Sequence, residues 1–145
     1  MIQRIQTLFL FLTDIVLVVL FFVPFMLKFD DKSAAAGVPV TLLDFPLAIV
    51  GQGAICVIAA LAVTQFKNRA LQLKICFAGI VLSVFYTGAL AAIPTILNDG
   101  NERDFAHYEI AYGTWISLAN IVLFYLARVY IQKDEDLVKS VDRLR

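Results

Sequence analysis

Four long apolar runs divide the chain, and stretches that carry charged residues separate each run from the next. The runs occupy residues 7–27, 45–66, 73–93 and 110–127. A helix needs roughly 20 residues to cross a hydrocarbon core about 30 Å thick, and each run is close to that length. The pattern therefore predicts an all-α, membrane-embedded four-helix bundle in a single domain, followed by a polar tail over residues 128–145.

The composition agrees with a membrane protein. Of the 145 residues, 61% are hydrophobic and 17% are charged, whereas soluble domains carry about 25% charged residues. The first run could instead be a cleaved signal peptide, since Arg4 precedes it and small residues follow at 33–37. Its apolar stretch is too long for a signal sequence, and the small residues come after the charged "KFDDK". We therefore expect the first run to be a span.

The basic residues predict how the spans are oriented, because Lys and Arg gather on the cytoplasmic side of short-loop membrane proteins. Nine of the twelve lie at the N-terminus, between the second and third runs, or in the tail. They are Arg4, Lys67, Arg69, Lys74, Arg128, Lys133, Lys139, Arg143 and Arg145. Four spans place both termini on one side, which the charge distribution predicts to be the cytoplasm.

Asp14 is a carboxylate inside the first run. At mid-membrane such a group costs about 2.5 to 3.5 kcal/mol, so it tends to face protein or water and to have a partner. Counted from the cytoplasmic ends of the runs, Asp14, Ser83 and Asn120 lie at similar depths, about 10 Å in for Asp14. We therefore predict an intramembrane polar layer of these three residues. Asp14 could hydrogen-bond to Asn120 and fix helix register, carry protons or cations, or face a different polypeptide.

Small and polar residues recur every four positions in two of the runs. The third run has Gly79, Ser83, Thr87 and Ala91, and the second has Gln52, Cys56, Ala60 and Thr64. Such ridges let helix backbones approach closely in lipid. We predict that they pack the second and third spans into a tight hairpin, with an oligomer interface as the alternative.

Residue types that carry enzyme chemistry are scarce. Cys56 and Cys76 differ in predicted depth by about 10 Å, too far for a disulfide. His107 is the sole histidine, and it lies outside the spans.

The acidic segment "NDGNERDFAHYE" does not supply a calcium loop. Counted from Asp99, the loop would have Asp104 in place of the required glycine and Ile110 in place of the required glutamate. Neither a phosphate-binding glycine loop nor a basic aromatic surface occurs. We expect no enzymatic activity, catalytic residue, cofactor, metal or nucleic-acid partner.

The tail "YIQKDEDLVKSVDRLR" predicts a short amphipathic helix at the cytoplasmic surface. Leu137, Val141 and Leu144 recur at helical spacing, and Glu135 can pair with Lys139. This helix could rest on anionic lipid or dock on a partner. Together with the basic connection it forms a predicted cytoplasmic docking surface of Lys67, Arg69, Lys74, Lys139, Arg143 and Arg145.

The two ends of the chain carry a family resemblance. The opening "MIQRIQTLFLFL" and the closing "KDEDLVKSVDRLR", together with four runs in 145 residues, resemble an uncharacterised family of small integral membrane proteins of Bacteroidota-type bacteria, a domain of unknown function. The resemblance implies a four-helix protein of the bacterial inner membrane with cytoplasmic ends. It implies no activity and no catalytic residues.

These features predict a non-enzymatic accessory or assembly subunit of a larger membrane complex. Its partners would be the lipid bilayer and other membrane protein chains, or further copies of itself. The alternative is a small proton- or cation-coupled transporter that works as a homo-oligomer, with Asp14 as the coupling carboxylate. The chain resembles small multidrug-resistance transporters in having four helices and an acid in the first, and it differs from them in its long connections and charged tail.

Overall fold

The computed structural model describes residues 3–29, 37–66, 68–100 and 107–142. Four helices and three short strands form this part of the chain. The elements are α1 (Gln3–Val19), β1 (Met26–Phe29), β2 (Val38–Val40), α2 (Pro46–Thr64), α3 (Arg69–Gly100), β3 (His107–Ile110) and α4 (Tyr112–Asp142), with a 3₁₀ turn over Leu42–Asp44. Helices α2, α3 and α4 are long and apolar enough to cross a membrane, and α1 adds a shorter apolar stretch over Thr7–Val19. The prediction of a mostly helical protein with long apolar helices is confirmed.

Each helix packs on two neighbours, so the four form a closed bundle. Helix α1 contacts α2 and α4, and α3 contacts the same two helices from the opposite side. Between α2 and α3, the Tyr86 hydroxyl donates to the Ala48 carbonyl at 2.9 Å and Gln72 Nε2 donates to the Ala62 carbonyl at 2.9 Å. These two bonds lie near opposite ends of α2, so they hold α2 against residues 72–86 of α3.

Helix α1 ends at Val19, whereas the hydrophobic pattern predicted a span as far as residue 27. The chain then turns and enters β1. Pro24 keeps the helix from extending through this segment, because proline lacks a backbone N–H and disfavours helical geometry at the residue before it. The carbonyls of Val18 and Val19 accept hydrogen bonds from the backbone N–H groups of Phe21 and Phe22, at 3.2 and 3.0 Å. The turn remains apolar, so hydrophobicity alone did not reveal where the helix stops.

A three-stranded antiparallel sheet, which the sequence did not predict, closes one end of the bundle. The strand order is β2-β1-β3, and Met26 pairs with Val40 on one side and Ile110 on the other. The Phe25 carbonyl accepts from Ala111 N at 2.9 Å and from Thr114 Oγ1 at 2.8 Å. We call this the sheet end. Its central strand β1 is hydrogen-bonded to a strand on each side.

Helices α3 and α4 extend beyond their predicted spans. Helix α3 was expected to stop near residue 93, but it continues through the buried Pro94 to Gly100. Asn98 Nδ2 donates to the Tyr108 carbonyl at 2.9 Å, and Tyr108 N donates to Asn98 Oδ1 at 2.8 Å. These bonds tie the extended helix to β3. Helix α4 runs without a break to Asp142, so the predicted tail helix is its continuation. The bundle end opposite the sheet, where α3 begins and α4 continues to Asp142, is called the tail end.

Candidate functional site

The bundle interior contains a layer of buried polar side chains from three helices, which we call the polar layer. It consists of Gln52 in α2, Ser83 in α3 and Asn120 in α4, which are 0%, 2% and 2% exposed. Such deep burial indicates that these three side chains point toward the centre of the four-helix bundle. The interior at this level is therefore polar.

Contacts on either side of the polar layer fix the depth of Ser83 and Asn120. Toward the sheet end, the hydroxyls of Thr87 and Ser117 lie 2.9 Å apart in a hydrogen bond. Toward the tail end, the Gly79 Cα faces the Phe124 ring so closely that a Cβ would lie 2.8 Å from it. Because α3 and α4 are antiparallel, Ser83 and Asn120 lie level between these two contacts. The structure thus brings together two of the three residues predicted to share a layer.

Asp14 lies nearer the tail end than Asn120. The rings of Phe9 and Tyr130 stack with centroids 5.3 Å apart, which fixes the antiparallel register of α1 and α4. Counted along both helices from this contact, Asp14 is level with Tyr125 and Asn120 is level with Val19. Five residues separate Asp14 from the depth of Asn120, or about 7 Å at helical rise. Asp14 is therefore adjacent to the polar layer and outside it.

Gln52 joins the polar layer to the end of α1. Its Nε2 donates to the Leu17 carbonyl at 2.8 Å. That carbonyl is one of the groups a helix C-terminus leaves unpaired, because the Phe21 N–H bonds to Val18 instead. Gln52 therefore acts as a cap that a neighbouring helix supplies. The sequence placed it in a ridge of small residues and gave no sign of this role.

Each member of the polar layer has an oxygen that finds no hydrogen-bond partner in the part of the chain the structure describes. The atoms are Gln52 Oε1, Ser83 Oγ and Asn120 Oδ1. Buried polar atoms are normally paired with protein or ordered water. Three acceptor oxygens at one depth can take hydrogen bonds from water or from another donor.

Asp14 lies in the crevice between α1 and α2. It is half-buried, between the buried residues Leu10 and Leu17 on one side and the exposed Phe11 and Val18 on the other. Among the described residues, the Cys56 thiol is within electrostatic reach, and no hydrogen bond or ion pair to the carboxylate is present. Within the described residues this acid is thus unpaired, at the edge of an exposed apolar surface.

The two predicted ridges of small residues differ in their surroundings. In α3, Gly79, Ser83 and Thr87 are buried and Ala91 is half-buried, and the contacts of Gly79 and Thr87 place this ridge against α4. In α2, Gln52 is buried and Cys56 half-buried, while Ala60 and Thr64 are exposed. The α2 residues that face the core are Ala48, Gln52, Ile55, Ala59 and Ala62.

The described members of the predicted docking surface, Arg69, Lys74 and Lys139, lie toward the tail end. Arg69 Nη2 lies 2.9 Å from Asp134 Oδ2, and its Nη1 donates to the Asp134 carbonyl at 3.3 Å. Lys139 forms the predicted pair with Glu135 at 2.8 Å, and Lys74 is exposed. Lys67, Arg143 and Arg145 lie outside the described residues. The bond from Arg69 to Asp134 is the contact that sequence reasoning missed, since 65 residues separate the partners.

The described ranges contain both cysteines. Cys56 and Cys76 are free thiols. In residues 3–29, 37–66, 68–100 and 107–142, no three side chains of His, Cys, Asp or Glu come together as metal ligands. The acidic segment 101–106 lies outside those ranges.

Comparison with known proteins identifies the family. No curated protein and no solved structure matches the chain. One family model does, with the description "Domain of unknown function (DUF4293)", and the match extends over residues 2–144. A match of this extent includes all four helices and the sheet, and it confirms the resemblance to a family of unknown function. The chain belongs to the DUF4293 family.

Proposed function

We propose that the protein is a non-enzymatic accessory or assembly subunit of a larger complex in the bacterial inner membrane, and that its tail end docks on another protein in the cytoplasm. The observation that carries this proposal is the part of α4 that follows its last buried apolar residue, Ile131. We call this part, residues 132–142, the extension of α4. Leu137 and Val138 on this extension are 51% and 44% exposed.

The extension continues the core part of α4 as one uninterrupted helix. Ile131 is fully buried, and Leu137 lies six residues further on, or about 9 Å at helical rise. Beyond Gly113, α4 contains neither proline nor glycine, the residues at which helices usually kink. The ion pair between Arg69 and Asp134 holds the extension to the start of α3. A helix continuous with a spanning helix cannot lie flat on the membrane, which favours a partner protein over lipid.

The charge distribution supports a cytoplasmic location for this end. Most described basic residues lie there, namely Arg69, Lys74, Arg128, Lys133 and Lys139, whereas the strands of the sheet end carry only Lys28. Positive charge marks the cytoplasmic side of membrane proteins. The exposed apolar pair would therefore meet partners in the cytoplasm.

A pull-down of the full-length protein in mild detergent tests the proposal, with complexes sized on a native gel and identified by mass spectrometry. We expect a heteromeric band with the wild type. The double variant Leu137→Gln with Val138→Gln should lose it, because apolar contact area is removed. The control variant Gln132→Ala with Asp136→Ala changes exposed polar residues of the same extension and should retain it. A lone monomer or homo-oligomer, or equal loss in both variants, would contradict the proposal.

The polar layer favours one alternative, a proton- or cation-coupled transporter. Its unpaired oxygens lie about 7 Å from the depth of Asp14, so a hydrated path could connect them. This alternative predicts coupled flux in proteoliposomes that Asp14→Asn abolishes. Flux that survives the substitution would exclude Asp14 as the coupling group.

A further inference from the structure

We propose that α1 and the adjoining edge of α2 form a membrane-embedded docking surface for a transmembrane helix of another protein, and that this helix carries a lysine or arginine at the depth of Asp14. This inference rests on the proposed subunit function and deepens it by naming the chemistry of the membrane partner.

One part of the surface is the outward face of α1. Leu8, Phe11, Ile15, Val18 and Phe22 recur every three or four residues and are 54% to 71% exposed. Residues at this spacing share one helix face. Within α1 this face is apolar from Leu8 to Val18, as a contact with lipid or with another spanning helix requires. It does not by itself distinguish between these two neighbours.

The edge of α2 beside Asp14 is lined by small residues. Gly53 is half-exposed, and a Cβ built there would meet nothing within 4 Å. Cys56, within electrostatic reach of Asp14, is half-buried, and Ala60, one turn further toward the tail end, is exposed. Small residues on a spanning helix allow another backbone to approach closely. A helix seated here would lie beside the Asp14 carboxylate.

The unpaired carboxylate decides the chemistry of the occupant. A charged group in a span is costly, and such groups almost always pair with one another or with backbone carbonyls. The carboxylate of Asp14 has no ion pair or hydrogen bond among the described residues. Lipid chains supply no donor. A helix with a lysine or arginine at this depth would supply both the opposite charge and the hydrogen bond.

A second copy of this chain fits the surface poorly. Paired through the same face in a two-fold dimer, two copies would place Asp14 against Asp14, and like charges repel. The nearest cations of a parallel copy, Arg128 and Lys74, lie about 5 to 8 Å nearer the tail end at helical rise. The Arg128 guanidinium already lies 4.9 Å from the centroid of the Phe77 ring. Charge complementarity therefore favours a different chain.

A model helix tests the proposal without any other protein present. The fluorescently labelled full-length protein is reconstituted in phosphatidylcholine vesicles with a synthetic Leu/Ala helix of about 22 residues. The helix has one lysine about seven residues from one end, and its matched control has leucine there. Energy transfer reports association. We expect the lysine helix to bind the wild type about ten-fold more tightly than the leucine helix does.

Substitutions at Asp14 test whether the preference for the lysine helix depends on the carboxylate. Asp14→Leu should bind both helices equally, and Asp14→Lys should prefer a helix with glutamate in place of the lysine. Equal binding of both helices to the wild type would overturn the proposal, and so would wild-type self-association that Asp14→Leu abolishes. The peptide comparison on the unaltered wild type stands even if a variant fails to fold. Failure here leaves the heteromeric band of the pull-down unaffected, so the two proposals can fail separately.

Discussion

Gly113, near the start of α4, packs tightly against the turn that follows α1. Its backbone N donates to the Pro24 carbonyl at 3.0 Å, and a Cβ built on Gly113 would lie 2.5 Å from that same oxygen. The clash is with backbone, which cannot rotate away. We expect Gly113→Ala to lower the free energy of unfolding in detergent micelles by about 1–3 kcal/mol, the usual cost of overpacking.

Gly53 supplies the matched control, because it is also a helical glycine but has open space around it. No heavy atom lies within 4 Å of a Cβ placed there. Alanine favours a helix over glycine by up to about 1 kcal/mol, so Gly53→Ala should leave stability unchanged or raise it slightly. An equal loss in both variants would show that the contact with Pro24 is not the cause.

Sequence reasoning identified some individual residues and missed the partners of others. Ser83 and Asn120 were placed at one depth by counting residues, and the register of α3 and α4 places them level. The same counting put Asp14 with them, but the contact of Phe9 with Tyr130 places it about 7 Å away. Counting assumes that all spans begin at one plane, and only contacts between helices fix their relative heights.

At the scale of elements, the ion pair of Arg69 with Asp134 determines how far α4 remains attached to the bundle. The side chains are 24% and 12% exposed, and the pair joins the first residue of α3 to α4 beyond its last apolar core residue. We expect Asp134→Asn to destabilise this junction by about 1–3 kcal/mol, because it removes the opposite charge and leaves the partly buried Arg69 guanidinium without it. Amide hydrogen exchange should then speed up over residues 131–142.

Glu135→Gln is the control for the ion pair. It removes the pair with Lys139, which lies within α4 and whose lysine side chain is 63% exposed. Such pairs contribute about 0.2–0.5 kcal/mol, so exchange in α4 should change little. If both substitutions accelerated exchange equally, the effect would be a general loss of helix charge pairing rather than loss of the junction with α3.

Element boundaries were the least predictable part of the fold. The run over residues 7–27 remains apolar, but α1 ends at Val19, and Met26 and Leu27 belong to a strand. Hydrophobicity measures how well a segment suits lipid and carries no information about its backbone. Pro24 was a signal for the end of α1, whereas Pro94 lies inside α3. The two hydrogen bonds between Asn98 and Tyr108 hold the extended end of α3, and they join residues whose proximity the sequence pattern did not indicate.

At the scale of the whole molecule, the two ends of the bundle differ in structure and in charge. The sheet end carries three short strands with hydrogen-bonded backbones, and the tail end carries most of the described basic residues together with the extension of α4. Four closely packed helices place the sheet and the tail on opposite sides of any membrane they cross. The charge distribution then predicts that the tail faces the cytoplasm.

Single cysteines can test this orientation in a background that carries Cys56→Ser and Cys76→Ala. Val38→Cys lies in β2, where the valine is 55% exposed, and Ser140→Cys lies on the exposed extension of α4. A membrane-impermeant maleimide should label Val38→Cys in right-side-out vesicles and Ser140→Cys in inside-out vesicles. The reverse pattern would place the basic residues outside the cell, and the exposed pair Leu137 and Val138 would then have no access to a cytoplasmic partner. Labelling of both positions from one side would mean that the helices do not cross the membrane as a bundle.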